Sequence, residues 1–360
     1  MDLDTYVVLR VTEPEPGPAG LESLPSYGWR GGDTPRSEPE PGGYRVEALA
    51  LTPPEARDLA RDPQVKGIAP PMPLRLIEPL TMTAAAAGDD VWIEPAHDSG
   101  VTWGVEVTGA LHSPYAGHHV TVAVLDSGID AAHEAFQGME LIQKDWTGEG
   151  NGDTKGHGTH VAGTIFGRAT RGVRYSVAPG VSRALIGKIL GEHHRPTTRD
   201  LYEAVQWAVD GGAHVINVSL GFDFPGLVEY WTEQGMEVDL ATSRALARYR
   251  DNVRFFDRLV GLLRARAGVR SSALIVAAAG NESRRDVRPD YTVDVAPPAA
   301  AEGVVSVAAL RTTGAPHTAL AVAPFSNIGA VVSAPGMGIY SAHPGGTFAF
   351  RHGTSMASPH

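Results

Sequence analysis

The chain has 360 residues, 42% hydrophobic and 20% charged, the balance of an ordinary globular protein with length for about two domains and a large core. Its net charge of −11 argues against a nucleic-acid or anionic-membrane partner, because either would want a basic face. Without cysteine there is no disulfide, thiolate nucleophile or cysteine-based zinc site, and no run approaches the roughly 18 apolar residues of a membrane span.

The first predicted element is a strand over Tyr6 to Val11. From Glu13 to Gly43 there are seven prolines and seven glycines in 31 residues, too little apolar surface to order the segment, and a disordered loop is expected at 13–43. Tyr44 to Leu51 predicts a second strand. Thr52-Pro53-Pro54-Glu55 then predicts a helix start, with Thr52 as N-cap, proline in the first turn and Glu55 placed for a capping box. Asp62-Pro63 stops that helix, and Gln64 to Ala69 predicts a third strand. Residues 1–90 are therefore expected to form a small α+β domain. Met1 to Tyr6 lacks the basic and apolar regions of a secretory signal, so a cytoplasmic location is expected, with export by another route left open. Thr81 to Asp90 is rich in small residues and expected to be exposed, the kind of segment proteases nick.

Residues 91–360 read as the second domain. After a helix expected over Glu106 to Leu111, strands and helices alternate, which implies βαβ units on a parallel sheet. Strands are expected at Val120–Leu125, Leu185–Leu190, His214–Ser219, Ala273–Ala278 and Val304–Ala309, with helices at His157–Ile165 and Asp200–Val209. The continuous apolar run before Asp126 suits a strand buried on both faces, and Asp126 then stands at its C-terminal end, where ligands sit in open α/β folds. The fold class expected is α/β, a doubly wound and mostly parallel sheet. Phe222 to Ser272 interrupts it with a charged, helix-patterned stretch in which Leu246, Tyr249, Val253, Phe256, Leu259, Val260 and Leu263 recur at mixed three- and four-residue steps, and a helical hairpin at the rim is expected there.

Four segments carry chemistry. Val122 to Asp130 contains Asp126, Gly156-His157-Gly158-Thr159-His160 contains His157, Ala277 to Glu282 contains Asn281, and Gly353-Thr354-Ser355-Met356-Ala357-Ser358-Pro359 contains Ser355. Taken singly, Asp126 is a strand-end carboxylate, His157 a helix-start polar group and Ser355 a helix N-cap. Together, and in the order Asp, His, Ser, they resemble the subtilisin-like serine proteases, the subtilases or peptidase S8 family. The resemblance covers about residues 100 to 360, with Thr102-Trp103-Gly104-Val105 similar to the start of the mature family domain. The elements from Tyr44 to Ile68 are similar to the second half of the inhibitory propeptide found in that family, although the Pro/Gly loop stands where the propeptide's first helix would be.

The resemblance implies a serine endopeptidase. Ser355 would be the nucleophile, His157 its base, Asp126 the group orienting the imidazole, and Asn281 an oxyanion donor together with the Ser355 amide. Substrate is expected to bind as an extended strand beside Ser219-Leu220-Gly221, with Ala278-Ala279-Gly280 flanking a broad pocket for apolar or aromatic side chains. No charged specificity site is marked, so loose preference is expected. Protein or peptide substrates are the expected partners, with the N-terminal domain as an intramolecular inhibitor.

The family's second histidine is structural, which assigns His160 the same role, and no metal site is expected. No cofactor is required. The calcium loop of many relatives has no counterpart after Gly163, although Asp130 and Asp153 could ligate a weaker ion. In relatives the serine motif continues into a long apolar helix, so ending at His360 is expected to leave Ser355 without its platform. That opens a second reading, a truncated and catalytically incompetent fragment with only a peptide-binding or regulatory role.

Overall fold

The computed structural model describes residues 4–12, 43–80, 100–265, 273–313 and 319–360. The loop expected at 13–43 lies, but for Gly43, outside the described residues, as does the stretch from Thr81 to Asp90.

β1 (Asp4–Val11) is the middle strand of a three-stranded antiparallel sheet, between β2 (Tyr44–Leu51) and β3 (Val65–Ala69). Val7, Val8 and Leu9 are fully buried at its centre. α1 (Pro53–Leu59) connects the outer strands. Its N-terminus carries the capping box that the sequence predicts, with Thr52 Oγ1 accepting the Glu55 amide and Glu55 accepting the Thr52 amide. β4 (Leu74–Leu76) then leaves the sheet and crosses to the larger unit.

In that unit α2 (Trp103–Val107) begins before the expected helix and ends well short of Leu111. Trp103 and Val105 are the side chains with somewhere to be buried, and Gly109, at φ +72°, is turned out of helical conformation. There follow β5 (Thr121–Asp126), β6 (Glu140–Asp145), α3 (His157–Phe166), β7 (Arg183–Lys188), α4 (Thr198–Asp210), β8 (Val215–Val218) and β9 (Leu220–Phe222). Next come α5 (Phe224–Glu233), α6 (Val238–Ala265), β10 (Leu274–Ala278), β11 (Val305–Thr313), β12 (Ala319–Val322) and β13 (Val332–Pro335). β14 (Ile339–His343), β15 (Thr347–Arg351) and α7 (Thr354–Ala357) complete the order.

The main sheet runs β12-β11-β10-β8-β5-β7-β6, with β13 also paired to β11, and every pairing but β11 with β12 is parallel. It is a doubly wound, mostly parallel α/β sheet. From β5 the chain goes out to β6, returns to β7, and crosses to β8 on the other side of β5. Winding reverses at that strand, and the crevice at its carboxyl end is where such folds place ligands. Asp126 ends β5 with all six of its residues buried.

α5 and α6 pack on each other as a helical hairpin, and α6 also lies along β3. Its inward stripe runs through Ala241, Ala245, Asn252, Phe255, Phe256, Leu259, Val260 and Leu263. Leu246, expected on that stripe, is 57% exposed because the alanines and Asn252 take the close approach instead. Tyr202 of α4 stacks on Phe255 with centroids 4.4 Å apart, and this pair joins Val7, Leu9 and Ala69 in one apolar cluster with the main sheet's helices. A Cβ on Gly67 would sit 3.0 Å from the Phe255 ring, so the bare backbone there lets β3 close on α6.

Candidate active site

Asp126 at the end of β5 and His157 at the start of α3 face each other, both fully buried. His157 Nδ1 lies 2.8 and 2.9 Å from the two carboxylate oxygens. A carboxylate can only accept, so Nδ1 carries the proton and Nε2 is left as the ring's acceptor. Nε2 is buried without a hydrogen-bond partner among the described residues.

Asp153 builds the local frame for this pair. Its Oδ1 accepts from Ser127 Oγ at 2.8 Å and from the amides of Lys155 and Gly156, and its Oδ2 accepts from the Thr159 amide and hydroxyl at 2.8 and 2.6 Å. One carboxylate thereby ties the turn after Asp126 to the first turn of α3, near its positive end. Ser127 Oγ also accepts the Gly158 amide at 2.9 Å. A Cβ on Gly158 would run into the Gly128 carbonyl, which explains the glycine beside His157. Asp153 accepts five hydrogen bonds in all. Among the described residues no three His, Asp or Glu are gathered closely enough to hold a metal ion. His160 is structural in its contacts: Nε2–H reaches the carbonyls of Ile339 and Ala349, tying α3 to the β14–β15 hairpin.

Ser355 lies in the first turn of α7, fully buried. Its hydroxyl donates to the carbonyl of Ile77 at 2.9 Å, so Asp126 and His157 are brought together while Ser355 is bonded elsewhere. Asn281 follows the end of β10. Its Oδ1 accepts from the Thr354 amide at 2.8 Å and hydroxyl at 2.9 Å, which turns Nδ2 outward to donate to the Glu78 carbonyl at 2.9 Å. Thr354 Oγ1 in turn accepts the Gly280 amide at 3.0 Å.

The chain itself lies in the cleft. β4 pairs antiparallel with β9, Arg75 opposite Gly221 and Leu76 opposite Leu220, and the Ile77 amide donates to the Ser219 carbonyl at 3.3 Å. Beyond the serine, the Leu80 amide donates to the His352 carbonyl at 2.9 Å. Ser219, Leu220 and Gly221 thus form one wall holding an extended strand. Ala278, the last residue of the neighbouring strand β10, and Ala279 and Gly280 just beyond it are buried, and β10 pairs with β8. Sequence reasoning passes over the segment from Pro73 to Leu80, although its alternating Leu74, Leu76 and Pro/Arg pattern after β3 was legible as a strand. It names Asp153 only as a possible ion ligand and misses its bracing of the His157 helix, and it misses the role of Thr354, adjacent to the serine.

The sequence model of the subtilase family, Peptidase S8, matches residues 117–360. Subtilisin DY from Bacillus licheniformis is 31% identical over 252 residues, 68% of this chain and 75% of that protein. The subtilisin-like serine protease Pen ch 13.0101 from Penicillium rubens is 29% identical over 314 residues, 85% of this chain and 64% of its own length. Among solved structures, fervidolysin from Fervidobacterium pennivorans, a keratinolytic enzyme related to subtilisin, superposes with a TM-score of 0.62 at 20% identity, covering 99% of this chain and 53% of that one. This likeness concerns the fold. The chain spans about half to two thirds of the length of the latter two proteins.

Proposed function

The chain belongs to the subtilase family of serine peptidases, and from that premise we propose that it hydrolyses peptide bonds through Asp126, His157 and Ser355, with its own N-terminal segment blocking the cleft until it is cut. The observation that supports this most is the Ile77 carbonyl, held by Ser355 Oγ at 2.9 Å on a helix that touches the one carrying the buried His157 of the Asp126–His157 pair.

A serine hydroxyl is a weak nucleophile at neutral pH and needs a base. On rotation of Ser355 away from the Ile77 oxygen, His157 Nε2 accepts its proton as Oγ bonds to the carbonyl carbon. Asp126, accepting from Nδ1–H, stabilises the imidazolium. The carbonyl oxygen becomes an anion, and Asn281 Nδ2, now on the adjacent Glu78 carbonyl, moves to it as donor. His157 then returns the proton to the leaving nitrogen, the C–N bond breaks, and an acyl-enzyme remains. Water, deprotonated by the same histidine, attacks that ester and releases the acid and Ser355.

The strand through the cleft supports an inhibitory role for the N-terminal unit. It places the bond from Ile77 to Glu78 at the serine, upstream of the stretch from Thr81 to Asp90 where a cut is expected from composition. The sheet above it is held by side chains of α4 and α6: Gln206 accepts the Val46 amide, Asn252 and Arg248 donate to the carbonyls of Pro70 and Pro71, and Arg258 to that of Lys66. Hydrolysis as proposed draws on protein groups and water alone. Apolar side chains suit the position of Ile77, 6% exposed.

Covalent labelling by a fluorophosphonate tests the reading. Labelling of the wild type that vanishes in Ser355→Ala supports it; a folded protein that never labels points instead to a peptide-holding role.

A further inference from the structure

The strand in the cleft makes one charged contact that the hydrolytic chemistry does not require. Arg75 Nη2 lies 2.7 Å from Glu282 Oε1. The register fixes what this means: with Ile77 offering its carbonyl to Ser355, Arg75 stands two residues to its N-terminal side, opposite Gly221. Alternate side chains of an extended strand share a face, so Arg75 and Ile77 point to the same wall and Leu74 and Leu76 to the other.

Glu282 is built to receive a cation there. It follows Asn281 directly, and its free rotation is removed by Asn327, a residue 1% exposed. Asn327 Nδ2 donates to Glu282 Oε2 at 2.7 Å, while Asn327 Oδ1 accepts the amides of Glu282 and Ser283 at 3.1 Å. The same Nδ2 reaches the Ala279 carbonyl at 3.2 Å, so the carboxylate is locked to the pocket wall itself. Oε1 is left facing the cleft. Among the ion pairs of the described residues, Glu282 takes part only in that with Arg75.

We propose that Glu282 determines specificity, selecting substrates with arginine or lysine two residues before the residue whose carbonyl Ser355 attacks. This rests on the serine-peptidase reading above and replaces the expectation of an uncharged cleft. A half-exposed pair is modest in strength, up to about fivefold for the match, and an acidic side chain in the same place adds repulsion. The preference for arginine over glutamate is therefore about tenfold.

The test uses the full chain after it has cut itself, with fluorogenic peptides Pro-Leu-Xaa-Leu-Ile-Glu in which Xaa is Arg, Gln or Glu. Wild type should show kcat/KM falling in that order, Glu282→Gln should flatten the series, and Glu282→Arg should invert it. Equal kcat/KM in the wild type, or a preference that persists in Glu282→Gln, overturns the proposal. A second experiment needs no added peptide: Arg75→Glu should slow self-cleavage, and adding Glu282→Arg should restore it. Failure of that rescue also overturns it. Fluorophosphonate labelling in the same samples separates the two claims. Labelled enzyme with a flat series sinks Glu282 alone, whereas absence of both labelling and hydrolysis sinks the peptidase reading and this proposal with it.

Discussion

Ser355 Oγ donates to the Ile77 carbonyl oxygen at 2.9 Å, while His157 Nε2, the base that hydroxyl needs, has no hydrogen-bond partner among the described residues. On the proposed mechanism the serine proton must pass from the Ile77 oxygen to that nitrogen before attack.

The first expected outcome is a single cut after Ile77. Intact mass measurement of the purified chain over time should show pieces corresponding to 1–77 and 78–360, and Ser355→Ala should show neither. Ile77→Asp, which forces a carboxylate into a site where the native side chain is 6% exposed, should slow the cut by about 10²-fold or more, since burying an unpaired charge costs several kcal/mol. A cut mapped between Thr81 and Asp90 instead would dissociate the strand's position from the cleavage register.

Asn281 owes its orientation to Thr354, whose amide and hydroxyl both occupy Oδ1. Asn281→Ala should lower kcat about 10²–10³-fold with little change in KM, the loss a subtilisin shows when its oxyanion asparagine is removed. Thr354→Val keeps the shape but frees Oδ1 from one donor and leaves the Gly280 amide unbonded. Its kcat should fall about fivefold, since a positioning group short of one neutral hydrogen bond costs about 1 kcal/mol. Steady-state kinetics on one peptide would check both, and an unchanged kcat in Asn281→Ala would remove it from the mechanism.

Much of this was legible in the chain. The run from Val122 to Leu125 reads as a strand because both of its faces are buried, and Thr52 with Glu55 reads as a cap because a capping box is local. β6 and β12 were not legible: Glu140-Leu141-Ile142-Gln143-Lys144-Asp145 and Ala319 to Val322 are half-buried edge elements with weak alternation. The α6 stripe was read from large apolar residues, yet Ala241, Ala245 and Asn252 make the close contact, and small or polar side chains give no periodic signal. Glu282 escaped for a different reason. Its role depends on Arg75 and Asn327, far away in sequence, and only the fold brings them together.

Asn252 joins the N-terminal segment to the helices. Fully buried, it accepts from the hydroxyls of Thr198 at 2.6 Å and Tyr202 at 3.1 Å and donates to the carbonyls of Pro70 and Arg248. Asn252→Leu is close in volume but strands the Thr198 hydroxyl and the Pro70 carbonyl, at about 2–4 kcal/mol together. Differential scanning calorimetry should show a Tm lower by several degrees. After self-cleavage the N-terminal piece should also leave sooner, seen as a shorter lag before peptide hydrolysis. An unchanged Tm and lag would show that the sheet is held by its apolar contacts alone.

The buried His160 makes stability pH-dependent in a definite direction. Burial, with a smaller contribution from the charge of Arg351, holds its imidazole well below the ordinary value of 6.5. The unfolded chain therefore takes up the proton first as pH falls. Stability from this group is fully present above about pH 6.5 and is lost below it, down to the folded-state value, at a limiting slope of about 1.4 kcal/mol per pH unit. His352, also lowered by burial, acts in the same sense. His160→Gln keeps a donor for the carbonyls of Ile339 and Ala349 but cannot take up that proton. Urea unfolding at pH 7.5, 6.5 and 5.5 should show the wild type losing about 1 kcal/mol more than the variant between the first and last points. Parallel losses would mean that the ring titrates alike in the folded and unfolded chains, and that its burial among β14, β15 and α3 does not exclude the charged form.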